Sequence, residues 1–171
     1  ERHLLKKGTP TMGGVLILMA LGISTMLWAD LRNGYVWAVI VVTLGFGAIG
    51  FWDDYMKLTK RNSKGLSGRL RLVLESALAL AAVLWVVWLT REPLSTSLAV
   101  PFFKSLLPDL GWFFFPFAVF VIVGSSNAVN LTDGLDGLAI VPVMIVAAVF
   151  AFIAYFVGNA FFSNYLLMQH V

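Results

Sequence analysis

Residues 138–157 read Leu-Ala-Ile-Val-Pro-Val-Met-Ile-Val-Ala-Ala-Val-Phe-Ala-Phe-Ile-Ala-Tyr-Phe-Val, twenty positions without a charge. An α-helix rises about 1.5 Å per residue, so this run covers the roughly 30 Å hydrocarbon core of a bilayer. Four more apolar runs precede it, at Met12–Ala29, Tyr35–Trp52, Leu70–Leu89 and Gly111–Ser126. The last of these is short and contains Pro116, which suits a bent or broken helix lining a cavity, where freed backbone groups find partners. The expected fold is all-α: a polytopic integral membrane protein with about five transmembrane helices. They form one domain over residues 1–171 that is part of a larger helical bundle.

Composition agrees. Of 171 residues, 60% are hydrophobic and 12% charged, against about 45–50% and about 25% in soluble domains. The mean hydropathy is +0.88. Cysteine is absent, which excludes disulfides and thiolate metal sites. The net charge of +3 is small, and the basic residues sit beside apolar runs rather than along a stripe, so nucleic acid is not an expected partner. Lys6 and Lys7 precede an apolar run too long for a signal peptide, and no small-residue cleavage pattern follows; the run reads as a retained helix. A start at Glu1 and a stop at Val171, just after an apolar stretch, read as an excerpt of a longer protein.

The placement of Lys and Arg orients the helices. Arg2, Lys6, Lys7, Lys57, Lys60, Arg61, Lys64, Arg69 and Arg71 fall on one side, and only Arg32, Arg91 and Lys104 on the other. The positive-inside rule then puts the N-terminus in the cytoplasm. Three polar motifs share that side: Lys6–Thr11, Asp53-Asp54 and Asn130–Gly137. The third contains no Lys or Arg and did not enter the count, so its agreement is independent.

The third motif, Asn127-Ala-Val-Asn130-Leu-Thr-Asp133-Gly-Leu-Asp136-Gly137, is the most informative. Charge at a membrane is costly, about 2.5–3.5 kcal/mol per ionised group at mid-bilayer on insertion scales. Asp133 and Asp136 are spaced to share one helix face, and Gly134 and Gly137 let a ligand approach the backbone. Amides and carboxylates together suit a nucleotide or a hard cation. A polar turn that only caps helices would need one such residue, not four.

Asp53-Asp54 follows Gly50-Phe51-Trp52 directly and precedes Tyr55-Met56-Lys57. Adjacent carboxylates repel unless a cation intervenes. A Mg²⁺ bridging to phosphate, a general base, or interfacial charges balanced by Lys57 and Lys60 all fit. Lys6-Lys7-Gly8-Thr9-Pro10-Thr11-Met12-Gly13-Gly14 combines cations, hydroxyls and helix-start N–H groups into an anion site, though two lysines before a membrane helix also serve topology.

Gly45-Phe-Gly47-Ala-Ile-Gly50 matches a dinucleotide-binding pattern but lies inside an apolar run with no preceding strand. Close helix packing by small residues is the better reading. Glu75, four residues after Arg71, reads as an i,i+4 ion pair. His3 and His170 fall on opposite sides of the membrane and share no site.

Taken in order, Lys-Gly-Thr-Pro-Thr-Met-Gly-Gly, Gly-Phe-Trp-Asp-Asp-Tyr-Met-Lys, Val100-Pro-Phe-Phe-Lys104 and Asn-Ala-Val-Asn-Leu-Thr-Asp-Gly-Leu-Asp-Gly-Leu-Ala closely resemble the polyprenyl-phosphate N-acetylhexosamine-1-phosphate transferase superfamily. The wording is nearest to its phospho-N-acetylmuramoyl-pentapeptide transferase branch. The resemblance implies Mg²⁺-dependent transfer of phospho-MurNAc-pentapeptide from UDP-MurNAc-pentapeptide to undecaprenyl phosphate. The products are lipid I and UMP, for peptidoglycan synthesis at the cytoplasmic face of the bacterial inner membrane, by direct attack. It implies substrate-binding roles for Lys6, Thr11, Asn130, Asp133 and Asp136. It makes Asp53 the carboxylate that deprotonates the lipid phosphate and Asp54 an adjacent essential acid. It also implies a homodimer. Relatives carry a helix before the first motif and, beyond the last, a third aspartate motif that supplies the main Mg²⁺ ligand, so the 171-residue chain alone is expected to be inactive. Rival readings are the same chemistry on UDP-GlcNAc, and a transporter. A transporter predicts acids near mid-membrane, whereas these cluster at one face.

Overall fold

The computed structural model describes residues 13–59, 65–90, 95–98, 100, 103, 106–132 and 138–165. Among them the elements are helices: α1 Gly13–Trp28, α2 Gly34–Thr59, α3 Gly68–Thr90, a 3₁₀ turn Gly111–Phe113, α4 Phe114–Thr132, α5 Ile140–Gly158 and α6 Ala160–Tyr165. The chain divides into two compact units after Gly124, within α4.

In the first unit α2 packs against both α1 and α3. Its glycines make this possible. A Cβ at Gly45 would run into the Leu78 side chain of α3, and one at Gly47 into Leu18 of α1. The glycine pattern is therefore a packing surface, as expected. Gly50, by contrast, has no atom within 4 Å of where its Cβ would stand. Asn33 starts α2, its Oδ1 accepting the Tyr35 N–H at 2.9 Å. The far end of α3 is tied back to this start, where Tyr35 Oη and Thr90 Oγ1 are 3.1 Å apart. The two helices thus run antiparallel, and the acidic end of α2 meets the beginning of α3.

Ala38, Ile40, Ala79, Ala82, Val83 and Val123 form the small buried core, while most large apolar side chains face outward. Four helical stretches, Gly34–Thr59, Gly68–Thr90, Gly111–Thr132 and Ile140–Gly158, are long and apolar enough to cross a bilayer; none of the span in Ile140–Gly158 is buried. Water would not tolerate so much exposed apolar surface, so lipid is its solvent. The protein is a multi-pass membrane protein. α1, at 16 residues, is the short member of the five expected spans.

Three boundaries depart from the sequence reading. α2 runs seven residues past Trp52, because a charge ends a hydrocarbon span without ending a helix, and nothing from Phe51 to Thr59 breaks one. α4 likewise continues past Ser126 to Thr132. Pro116 does not break α4: it is the third residue of that helix, where a missing N–H costs nothing. In the second unit α5 packs on α6, a short helix not anticipated, through Phe156 and Phe162 with ring centroids 5.4 Å apart.

Between α3 and the 3₁₀ turn, Thr96–Leu98 lie beside Pro108–Leu110. The two stretches are joined by Leu98 N–H to Pro108 O at 3.0 Å and Leu110 N–H to Thr96 O at 3.1 Å. Gly111, at φ 49°, supplies the left-handed residue that turns the chain into the helix.

Candidate functional site

Carboxylates near a helix C-terminus oppose the helix dipole, and two adjacent ones also repel each other. Asp53 and Asp54 sit in that position on α2, and the same helix supplies the remedy. Lys57 lies four residues beyond Asp53 and three beyond Asp54, on the face they share. Its Nζ is 2.6 Å from Asp53 Oδ2 and 3.3 Å from Asp54 Oδ1. One turn of helix thus bridges both acids with one ammonium. Thr59 closes the helix, its hydroxyl donating to Tyr55 O at 2.8 Å.

The environments of the two acids differ sharply. Asp53 is 8% exposed, whereas the Asp54 side chain is 59% exposed. The remaining oxygen of Asp53, Oδ1, accepts the Leu66 N–H at 2.6 Å. Leu66 directly precedes Ser67, which caps α3: Ser67 Oγ accepts the Leu70 N–H at 3.3 Å, and Ser67 O accepts the Arg71 N–H at 3.0 Å. Gly65 lies so close to Asp53 that a Cβ there would collide with Oδ1 and would stand 2.8 Å from Lys57 Cε. Arg71, in the first turn of α3, brings its charge to bear on Asp53 as well. Arg71 Nε also donates to Glu75 Oε1 at 2.8 Å, the ion pair expected from the spacing. Glu75 is the largest fully buried side chain among the described residues, at 2% exposed.

The sequence motifs are distributed as follows. Asp53 and Asp54 come together with Lys57 at the junction of α2 and α3. Asn130 is exposed on the last turns of α4, in the second unit, with Asn127 three residues earlier on the same helix. Lys6, Thr11, Asp133 and Asp136 lie outside the described residues, as do Lys60, Arg61, Lys64, His3 and His170. Gly65 and Leu66 were not singled out from sequence. The available signal was a glycine just before the Ser cap of a helix, one position from a backbone N–H that a buried acid can use.

No three His, Asp or Glu side chains that could hold a metal come together among the described residues. The described residues therefore do not by themselves make a Mg²⁺ site. Nor does the apolar groove of about 650 Å³ between α1 and α2, lined by Leu18, Met19, Met26, Leu44 and Phe51, offer polar ligands. Among the described residues of this unit, the polar chemistry is therefore at the helix junction.

Residues 36–170 match the family described as glycosyl transferase family 4. The chain belongs to this family. Residues 6–18 of the family 4 chain also match phospho-N-acetylmuramoyl-pentapeptide-transferase signature 1, the segment holding Lys6 and Thr11. A phospho-N-acetylmuramoyl-pentapeptide-transferase of Granulibacter bethesdensis is 63% identical over 172 residues, an alignment covering 100% of this chain and 48% of that protein. The family 4 chain thus spans about half the length of the curated relative it matches.

Proposed function

We propose that the full-length protein transfers phospho-MurNAc-pentapeptide from UDP-MurNAc-pentapeptide to undecaprenyl phosphate, giving lipid I and UMP. A phosphate oxygen of the lipid attacks the β-phosphorus of the nucleotide sugar. The bridging P–O bond breaks, and UMP leaves with its electron pair. The observation that carries this reading is the muramoyl-pentapeptide-transferase signature at residues 6–18, together with 63% identity to a protein of that name along the whole chain. The acidic pair beside Lys57 at one end of α2 supports it by offering a carboxylate that can take a proton from the attacking phosphate.

In this reading Lys6 and Thr11 bind phosphate, and Asn130, Asp133 and Asp136 line the uridine-diphosphate pocket. The Asp53-Asp54 pair supplies the proton acceptor and part of the local field. Mg²⁺ is the cofactor; its protein ligands would come from beyond the described residues, and it would offset phosphate charge. The active face is the cytoplasmic side of the inner membrane, from the nine-to-three placement of Lys and Arg, and the enzyme is a homodimer.

The test is UMP release from membranes carrying the full-length protein, with undecaprenyl phosphate and Mg²⁺, comparing UDP-MurNAc-pentapeptide with UDP-GlcNAc. Release from the muramoyl substrate alone is the expected result. Release only from UDP-GlcNAc would keep the chemistry and change the sugar. No release from either would overturn the transferase reading.

A further inference from the structure

The geometry points to a division of labour within the acidic pair, resting on the transferase reading above: Asp53 is a positioning residue that latches α2 to the head of α3, and Asp54 is the carboxylate presented to the reactants. This reverses the part that the family resemblance gives Asp53. Each oxygen of Asp53 already receives a short charge-assisted bond, Oδ1 from the Leu66 N–H and Oδ2 from Lys57 Nζ, both at 2.6 Å. The Asp53 side chain is only 11% exposed, and the Gly65 backbone covers it so closely that a Cβ there would run into Oδ1. Each oxygen keeps a second lone pair, but a phosphate could reach it only by moving the turn that covers it. Asp54 has neither constraint: its side chain is 59% exposed, and its contact with Lys57 is longer, at 3.3 Å.

The latch fixes two things at once. Through Leu66 it sets the residue before the Ser67 cap, and so the start of α3 and the place of Arg71. Through Oδ2 it holds the Lys57 ammonium beside Asp54. A displacement of about 1 Å at such a support costs about 10²-fold in rate, without any reacting group being removed.

Conservative replacement separates the roles. In Asp53→Asn the amide oxygen still accepts the Leu66 N–H, whereas in Asp53→Ala nothing does; neither side chain can act as a base. In the full-length enzyme, Asp53→Asn is therefore expected to retain at least about tenfold more kcat than Asp53→Ala, where loss of a base would leave both equally inactive. Asp54→Asn is expected to lose about 10²–10⁴-fold. Gly65→Ala keeps every charge, and is expected to lower kcat by about 10²-fold with KM for both substrates nearly unchanged. Amide hydrogen exchange at Leu66, read in detergent without substrate, should accelerate in Asp53→Ala and stay slow in Asp53→Asn. Equal loss in the two Asp53 variants alongside an active Asp54→Asn would overturn the proposal. So would unchanged Leu66 exchange in Asp53→Ala. A wild-type protein without UMP release would instead strike the transferase reading, and the exchange measurement would still decide the latch.

Discussion

Arg71 and Glu75 give the sharpest stability prediction, because their exposures are unequal. Arg71 Nε and Glu75 Oε1 are 2.8 Å apart, with side chains 21% and 3% exposed respectively. The carboxylate is the enclosed partner. Arg71→Met withdraws the guanidinium from a charge that has little access to water, and breaking a buried pair from one side costs about 3–5 kcal/mol. Glu75→Leu is milder on the arginine side: Arg71 can swing its long stem toward solvent, so the loss of this contact costs about 0.5–1.5 kcal/mol. The double variant removes charge and partner together and should lie near Glu75→Leu rather than below Arg71→Met. The cycle therefore predicts a coupling of roughly 2 kcal/mol or more. Reversible unfolding of the full-length protein in mixed detergent and SDS micelles, followed by circular dichroism, measures all four corners. An Arg71→Met loss under about 0.5 kcal/mol, or equal losses in the two single variants, would refute the claim that the buried Glu75 side chain depends on the guanidinium.

Gly45→Leu should destabilise the α2–α3 contact by about 1–3 kcal/mol, since its side chain must displace Leu78, while Gly50→Ala should be neutral or slightly stabilising; thermal unfolding in detergent compares them. Asp109 lies below the ordinary carboxyl value of 3.8 because the Thr96 hydroxyl donates to it at 2.6 Å and, secondarily, the Gly111 N–H at 3.0 Å. A lowered value in the folded state means that these contacts support the loop above about pH 3.8 and fade as the pH falls through the folded value. Thr96→Val should move the Asp109 midpoint upward in a carboxyl NMR titration; an unmoved midpoint would refute that cause. The 171-residue chain, expressed alone, should release no UMP from UDP-MurNAc-pentapeptide, and any turnover by it would contradict the need for groups beyond it.

The fold was legible because a bilayer imposes a simple rule on sequence. Runs such as 138–157 must be helical, since lipid leaves their backbone groups no other partner. Hydropathy, however, reports where hydrocarbon ends rather than where helix ends. It therefore halted α2 at Trp52 and α4 at Ser126, and left Asp53, Asp54, Asn127 and Asn130 as loop residues when all four are helical. Pro116 misled for a related reason: its effect depends on distance from the helix start, which the apolar run does not mark.

The site was legible as residue types but not as roles. Two adjacent acids and a lysine at i+4 are visible in any reading of 53–57, and the Arg71–Glu75 pair follows from spacing alone. What distinguishes Asp53 from Asp54 is a backbone N–H thirteen residues away and the absence of a Cβ at Gly65, neither of which has a signature in side-chain chemistry. Successive residues on a helix point about 100° apart, so of two neighbouring acids at a helix junction only one can face the packed neighbour while the other faces out. The inward one is held by whatever backbone the neighbour offers. A doubled acid at a helix end is in this sense one support and one presented charge. Which is which follows from the face that carries the packing glycines: at about 100° per residue, Gly45, which receives Leu78 of α3, stands about 80° around the helix from Asp53 and about 180° from Asp54, and α3 is the helix whose head Asp53 grips.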